Sequence, residues 1–218
     1  MEVKGVDETM LKEYLERTYG YNEPIFISDI QLENMNDNSL RQYFKRMVKS
    51  GDLVRFDTGI YYLPKSSRLL SKTYMDPLKV IIRKYIKNDT STFGYFTGAS
   101  FANQIGLTTQ MPAVMEIVTN KESTKGRMVT IGGQSIRLKR PAITVTQENA
   151  DLLQVIDAIG QMDRYAELEK TDALALFRNY IREKEFSQTQ LVEILPTVTG
   201  TTAKKLIEGG LIYEFTPR

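Results

Sequence analysis

One face of a predicted helix near the start of the chain carries side chains whose chemistry suits the recognition of DNA. They are Asn38, Ser39, Arg41, Gln42, Lys45, Arg46 and Lys49. Arginine, glutamine and asparagine can form paired hydrogen bonds with the edges of guanine and adenine in the major groove. Lysine and arginine on the later turns suit phosphate oxygens, which position a protein without reading sequence. We predict that this face binds double-stranded DNA, with specificity on Ser39, Arg41 and Gln42.

The helix that must hold this face is indicated by an apolar stripe on its other side. The stripe consists of Leu40, Tyr43, Phe44, Met47 and Val48. Three- and four-residue spacing places these side chains together on one helical face. Asp37 or Asn38 is expected to cap the first turn through a side-chain oxygen. Gly51 suits the left-handed residue that ends many helices.

A β-hairpin is predicted immediately after this helix. Residues 53–56 alternate in polarity, residues 60–63 are rich in strand formers, and Thr58-Gly59 lies between them as a turn. Arg55 and Thr58 in the hairpin are therefore added to the candidate DNA-binding residues.

Two further helices are predicted upstream, over residues 8–19 and 28–35, with a break at residues 22–24. Three helices followed by a hairpin are typical of a winged helix-turn-helix, which we predict for residues 1–68. A basic face that is merely solvated is the alternative, and the neighbouring helices and hairpin favour DNA binding over it.

The placement of charge supports the same interpretation. The whole chain has a formal net charge of only +2. Residues 1–37 hold 3 basic and 9 acidic residues, whereas residues 38–72 hold 8 basic and 2 acidic residues. A protein that meets a polyanion needs a local positive field more than a high net charge. The predicted third helix and hairpin form the positive end of this dipolar segment.

The composition excludes several kinds of site. The sequence contains no cysteine and no histidine, which rules out disulfides, thiolate or imidazole metal sites and catalytic triads that use histidine. It has no apolar run of membrane-spanning length, and its acidic N-terminus does not resemble a secretory signal. We therefore expect a cytoplasmic protein that does not contact a membrane.

No pattern for catalysis or cofactor binding is present in the sequence. The carboxylate-x-lysine pattern of metal-dependent nucleases occurs only at Glu2-Val3-Lys4. The Gly132-Gly133 turn lacks the glycine-rich loop and following lysine of a phosphate cradle. We predict a protein that is not an enzyme and that has no catalytic residue, no metal and no cofactor.

A second domain is predicted over residues 76–218, after a polar boundary at residues 65–76. Helices are expected over residues 78–86 and 99–105, followed by an antiparallel meander and a helical tail from residue 148 onward. The strands of the meander are predicted at residues 114–118, 128–131, 135–139 and 143–145. The fold class is therefore α+β: an N-terminal winged helix-turn-helix followed by a mixed α/β C-terminal domain.

The C-terminal segment contains a short sequence that is weakly similar to part of the first domain. The sequence IEGGLIYEF at residues 207–215 is similar to VKSGDLVRF at residues 48–56. Either a degenerate second winged-helix unit or a chance helix-glycine-strand pattern explains this similarity. Residues 141–218 hold 8 basic and 12 acidic residues, so this end suits a protein or intramolecular contact better than DNA.

A second basic patch is predicted within residues 121–140. Its members are Lys121, Lys125, Arg127, Arg137 and Lys139, with Arg140 beside them and Glu122 as the one acid. The patch is compatible with an extended DNA footprint, a contact with a partner protein or RNA, or a sheet edge that lysines keep from pairing with other chains.

The chain resembles the AbiEi-type antitoxins of bacterial abortive-infection toxin–antitoxin systems. The resemblance covers residues 8–146 and rests on the segments GIYY (59–62), TGAS (97–100), GLTTQMP (106–112) and VMEIVTN (114–120). It implies that the N-terminal domain represses its own operon by binding inverted repeats in the promoter. It also implies that the C-terminal domain counteracts a nucleotidyltransferase-like toxin in a type IV system, without a required stable complex, as part of phage defence.

Two other functions remain open at this point. A transcription regulator with a ligand-sensing C-terminal domain requires a sizeable pocket there, and an adaptor requires direct binding of the toxin. Inverted repeats favour two protomers on DNA, one for each half-site, while no heptad pattern indicates a dimer in solution.

Overall fold

The computed structural model describes residues 8–32, 35–65 and 74–217. The architecture is mixed α+β with two small sheets. The chain divides into two compact units, residues 1–83 (unit 1) and 84–218 (unit 2). This division falls within a helix, Pro77–Tyr85. The boundary predicted at residues 65–76 includes residues 66–73, which lie outside the described part. The first turn of that helix belongs to unit 1, because Lys79 forms an ion pair with Glu23.

In its described residues, unit 1 combines two α-helices and most of the helix Pro77–Tyr85 with a three-stranded antiparallel sheet. Its elements are α1 (Glu8–Tyr19), β1 (Ile25–Phe26), a 3-10 turn (Ile27–Asp29), α2 (Asp37–Ser50), β2 (Val54–Asp57) and β3 (Ile60–Tyr62). The strand order is β1-β3-β2. The predicted helices at residues 8–19 and after residue 37 are confirmed, as is the hairpin that turns at Thr58-Gly59.

The core of unit 1 forms where α1, α2 and the hairpin meet. Leu11 and Leu15 of α1 and Phe44 of α2 are fully buried in it. The Phe44 ring packs edge-on against Tyr61 of β3, with ring centroids 4.8 Å apart. Burial of this stripe fixes which side of α2 faces solvent, because a helix that buries one face must expose the other.

The ends of α2 are set by local hydrogen bonds. Asn36 is the N-cap, rather than Asp37 or Asn38, and its Oδ1 accepts a hydrogen bond of 2.8 Å from the Ser39 backbone N–H. Gly51 has a φ of 87°, the left-handed conformation that glycine adopts without strain.

The predicted helix over residues 28–35 is wrong for the residues that the structure describes. Only the 3-10 turn forms, Ile30 is extended, and residues 33–34 lie outside the described part. The backbone before this turn belongs to the sheet: β1 pairs with β3, and the Ile27 N–H donates to the Gly59 carbonyl at 3.0 Å. Ile30 is extended and buried in the core of unit 1, which interrupts the helix after this single turn.

Unit 2 packs helices against a four-stranded sheet. After α3 (Pro77–Tyr85), the chain forms β4 (Gly94–Thr97), α4 (Gly98–Gln104), β5 (Val114–Thr119), β6 (Arg127–Ile131), β7 (Gln134–Lys139), α5 (Ala150–Gly160), α6 (Met162–Tyr165), α7 (Lys170–Glu183), α8 (Gln188–Ile194) and α9 (Gly200–Glu208). Leu152, Val155 and Ile159 of α5 are fully buried between the sheet and the helical tail. None of the helices in the described ranges is long and apolar enough to span a membrane.

The sheet of unit 2 is not the predicted antiparallel meander. Its order is β4-β5-β7-β6, with β5 parallel to β7. β6 and β7 form a hairpin turned by Gly132 and Gly133, both with positive φ, as a tight primed turn requires. That hairpin brings β7, rather than β6, next to β5. Residues 143–145 are not a strand, and β4, which the sequence did not predict as one, completes the sheet instead.

The C-terminal segment that is similar in sequence to the start of the hairpin does not form a strand. Leu211–Glu214 is a 3-10 turn, and the Thr216 N–H donates to the Phe186 carbonyl at 2.9 Å. The backbone of this segment therefore closes onto the start of α8, which leaves no hairpin comparable with β2 and β3.

Candidate nucleic-acid interface

The exposed face of α2 forms a continuous polar stripe. Asn38, Gln42, Lys45 and Lys49 recur at three- and four-residue spacing, and Arg41 flanks them. All five are exposed, and none forms a hydrogen bond or ion pair through its side chain with any described residue. We call these residues the α2 stripe. Their cationic and amide groups are available to a ligand without the loss of an internal partner.

Ser39 and Arg46 differ from the rest of the predicted face. Ser39 is half-buried at the N-cap. The Arg46 Nε donates to the Glu8 carboxylate of α1, and its guanidinium carbon lies 4.5 Å from the centroid of the Tyr43 ring. The structure thus holds Arg46 against α1, so it is less available than Lys45 beside it.

The hairpin residues form a small network at the tip. Arg55 donates through Nε to the Asp57 carbonyl at 3.3 Å and through a terminal nitrogen to Thr58 Oγ1 at 3.4 Å. The pairing of β2 with β3 is irregular between Arg55 and Asp57. Arg55 is exposed and directed toward the turn.

An acidic residue near the end of α2 is held apart from the stripe. Asp52 accepts hydrogen bonds of 2.6 Å from Lys12 Nζ and of 2.6 Å from Ser50 Oγ. These hydrogen bonds lower the pKa of Asp52, and the one from Lys12 has the largest effect. The carboxylate therefore remains ionised and paired with α1 rather than with Lys45 or Lys49.

The second basic patch is divided by partners that the sequence did not reveal. Arg127 donates to Glu122 at 2.7 Å, and the Lys139 ammonium lies 3.1 Å from a Glu116 carboxylate oxygen. Lys121 Nζ lies 4.1 Å from the centroid of the Phe93 ring. Lys125 and Arg137 are exposed and have no ion pair within the described ranges.

Glu122 has a structural role in this patch. Its side chain is only 2% exposed and accepts hydrogen bonds from the Thr124 hydroxyl and backbone N–H and from Arg127. These contacts, led by the Thr124 hydroxyl, lower the pKa of Glu122 to about 2. The carboxylate thus closes the loop between β5 and β6.

A comparison with protein-family profiles places the chain in a family. Residues 18–184 match the family of unknown function DUF6088. The chain belongs to the DUF6088 family. The matched region begins at the end of α1 and includes α2, both sheets and α5 through α7. No curated protein matched this chain.

This DUF6088 protein contains a further polar cluster, in unit 2, that the sequence did not indicate. The Tyr95 hydroxyl donates to Asp157 Oδ2 at 2.9 Å, and Thr97 Oγ1 lies 3.4 Å from the same oxygen. Burial raises the pKa of Asp157, and these two hydroxyls oppose that effect. Asp157 lies within an apolar helix about 60 residues after its partners, so no local spacing pointed to it.

The described part of the DUF6088 chain contains no group of three or more acidic residues placed to hold a metal ion. The triplet Glu2-Val3-Lys4 lies outside the described residues. In the described part of unit 1, the α2 stripe is the group of exposed cationic and amide side chains best suited to bind a ligand.

Proposed function

We propose that unit 1 is a winged-helix variant that binds double-stranded DNA through the α2 stripe. The observation that carries the proposal is a set of five exposed cationic and amide side chains that have no partner among the described residues. They lie on a helix whose opposite face is buried in the core. An α-helix of this kind fits the major groove, where its early residues meet base edges and its later residues meet phosphates.

The order of elements supports a winged-helix assignment. Helix α2 is followed at once by the β2–β3 hairpin, and β1 adds a third strand to it. In this proposal the 3-10 turn at Ile27–Asp29 takes the place of the usual second helix. The hairpin is the wing, with Arg55 and Thr58 at its tip near the DNA backbone.

We further propose that the protein is a cytoplasmic antitoxin that represses its own operon. The resemblance to AbiEi-type antitoxins supports this role, as does the separation of the basic face in unit 1 from the acidic C-terminal segment in unit 2. Two protomers would bind one inverted repeat. Unit 2 would counteract the cognate nucleotidyltransferase-like toxin and has no catalytic role in this proposal.

DNA binding is tested by titrating the full chain against the DNA upstream of its own gene. We expect a mobility shift with that DNA at low salt and a weaker shift with a shuffled duplex of the same composition. Lys170→Ala, which removes an exposed lysine on α7, is the control and should bind as the wild type does. Failure to bind any duplex at low salt would contradict the proposal.

The antitoxin role is tested separately by co-expression with the product of the adjacent gene. We expect that product to arrest growth alone and the full chain to relieve the arrest. Stable co-purification of the two proteins would instead favour a direct-binding adaptor. Absence of toxicity would refute the antitoxin role without affecting the DNA-binding proposal.

A further inference from the structure

Unit 2 contains a cavity of about 350 Å³ beside the C-terminal end of β7. One wall is α5, the second is the chain that leaves β7 at residues 139–143, and the third is the turn before α9 at residues 197–202. Ligand cavities in proteins usually have volumes of roughly 300–1,000 Å³. This cavity therefore suits a small ligand.

A carboxylate belongs to the lining of this cavity. Asp157 lines the cavity, and its Oδ2 is engaged by Tyr95 and Thr97. Its Oδ1 accepts no hydrogen bond from the described residues, which leaves that oxygen for a ligand. Since a desolvated carboxylate gains most from a positively charged donor, the site favours an ammonium group.

An exposed guanidinium also belongs to the lining of this cavity. Arg140 lines the same cavity, is exposed, and forms no ion pair with the described residues. Lys139 also lines the cavity, but Glu116 holds its ammonium at 3.1 Å. Arg140 is thus the cation that is available to an anionic group, and its planar fork matches a carboxylate.

Part of the cavity lining is apolar. Val118, Leu153 and Ile156 contribute buried side chains to the lining. The third wall is kept close by Gly160, where a Cβ would lie 2.5 Å from Thr202 Oγ1. Glycine at this position allows the start of α9 to approach α5, which closes the cavity on that side.

We propose that this cavity binds a small zwitterion of the amino-acid class. The ammonium group of the ligand donates to Asp157 Oδ1, its carboxylate binds Arg140, and an aliphatic side chain packs on Val118, Leu153 and Ile156. This site goes beyond the proposed function. It is tested on the full chain without DNA, so its failure would leave the DNA-binding proposal unchanged.

The test is calorimetric titration of the full chain with L-leucine, L-valine and L-isoleucine at millimolar concentrations. We expect saturable binding of at least one of them. The methyl ester, which lacks the carboxylate, and the N-acetyl derivative, which lacks the ammonium, should each bind about tenfold or more weakly.

Two variants assign the ends of the ligand to their residues. Asp157→Asn should weaken binding of the amino acid about tenfold or more and leave binding of its N-acetyl derivative unchanged. Arg140→Ala should also weaken binding of the amino acid about tenfold or more, and it should leave binding of the methyl ester unchanged. Lys170→Ala should bind as the wild type does. Melting temperatures of the variants show whether each is folded.

Two results would overturn the proposal. One is no binding of the three amino acids by the folded wild type, and the other is unchanged binding of the amino acid by both folded variants.

Discussion

Lys45 and Arg46 are adjacent cations on α2, and substitution of each by alanine should have different consequences. The Lys45 side chain has no partner among the described residues, whereas Arg46 is held by Glu8 and stacks on Tyr43. If α2 binds DNA, Lys45→Ala removes a phosphate contact, while Arg46→Ala chiefly removes a contact between α1 and α2.

The expected magnitudes follow from this difference. Each phosphate contact adds about 0.9 to the slope of log affinity against log salt, so between about 50 mM and 200 mM salt it accounts for a loss of roughly threefold to fourfold in affinity. Lys45→Ala should reduce the slope by that amount. The Arg46–Glu8 pair is 57% and 47% exposed at its two side chains, so such a pair contributes only about 0–1 kcal/mol, and the ring contact about 0.5–1 kcal/mol more. Arg46→Ala should lower the free energy of unfolding by about 0.5–2 kcal/mol and change the salt slope much less.

The assay is fluorescence anisotropy on the upstream DNA across a salt series, combined with urea denaturation of each variant. Lys170→Ala serves as the control for loss of a surface charge. Equal changes in salt slope for Lys45→Ala and Arg46→Ala would refute the reasoning, because the Glu8 contact would then have no effect on which cation meets DNA.

Three further results are expected. Gln42→Ala should weaken DNA binding by about 1–3 kcal/mol through one base pair and alter the preferred base at that position. A panel of duplexes with single base-pair substitutions would show this, and uniform weakening across the panel would contradict a base contact. Asn36→Ala should lower the free energy of unfolding by about 0.5–2 kcal/mol, because it removes the cap on the Ser39 N–H, and an unchanged denaturation midpoint would disprove that cap. The folded-state pKa of Glu122, about 2, lies below its ordinary value of 4.5, so this carboxylate stabilises the fold fully above about pH 4.5 and loses that effect as the pH falls toward 2. Glu122→Gln should therefore lower stability at neutral pH and flatten its acid dependence between those values, and parallel stability profiles for the variant and the wild type would count against this role.

The sequence predicted the elements whose signals are local. The apolar stripe through Leu40, Phe44 and Met47 and the glycine at Gly51 were enough to place α2, because helical spacing and caps are read within one segment. The same holds for the hairpin at Thr58-Gly59. The role of the α2 face in DNA binding stays a prediction.

Features that depend on distant pairing could not be read in the same way. The helix expected over residues 28–35 is interrupted at Ile30, which is extended and buried in the core of unit 1 against residues distant in sequence. The parallel pairing of β5 with β7 follows from how the β6–β7 hairpin folds back. Glu116, which pairs with Lys139 of the second basic patch, is brought there by the same long-range packing.

The account depends most on whether the α2 stripe binds DNA. The most direct measurement is anisotropy titration of the upstream DNA with the wild type and with one variant that combines Arg41→Ala, Gln42→Ala, Lys45→Ala and Lys49→Ala. Because these side chains are exposed and unpartnered among the described residues, the variant should melt at the same temperature as the wild type. We predict that the wild type binds at low salt and that the folded variant does not. Equal binding by both proteins, or no binding by the wild type, would contradict the account.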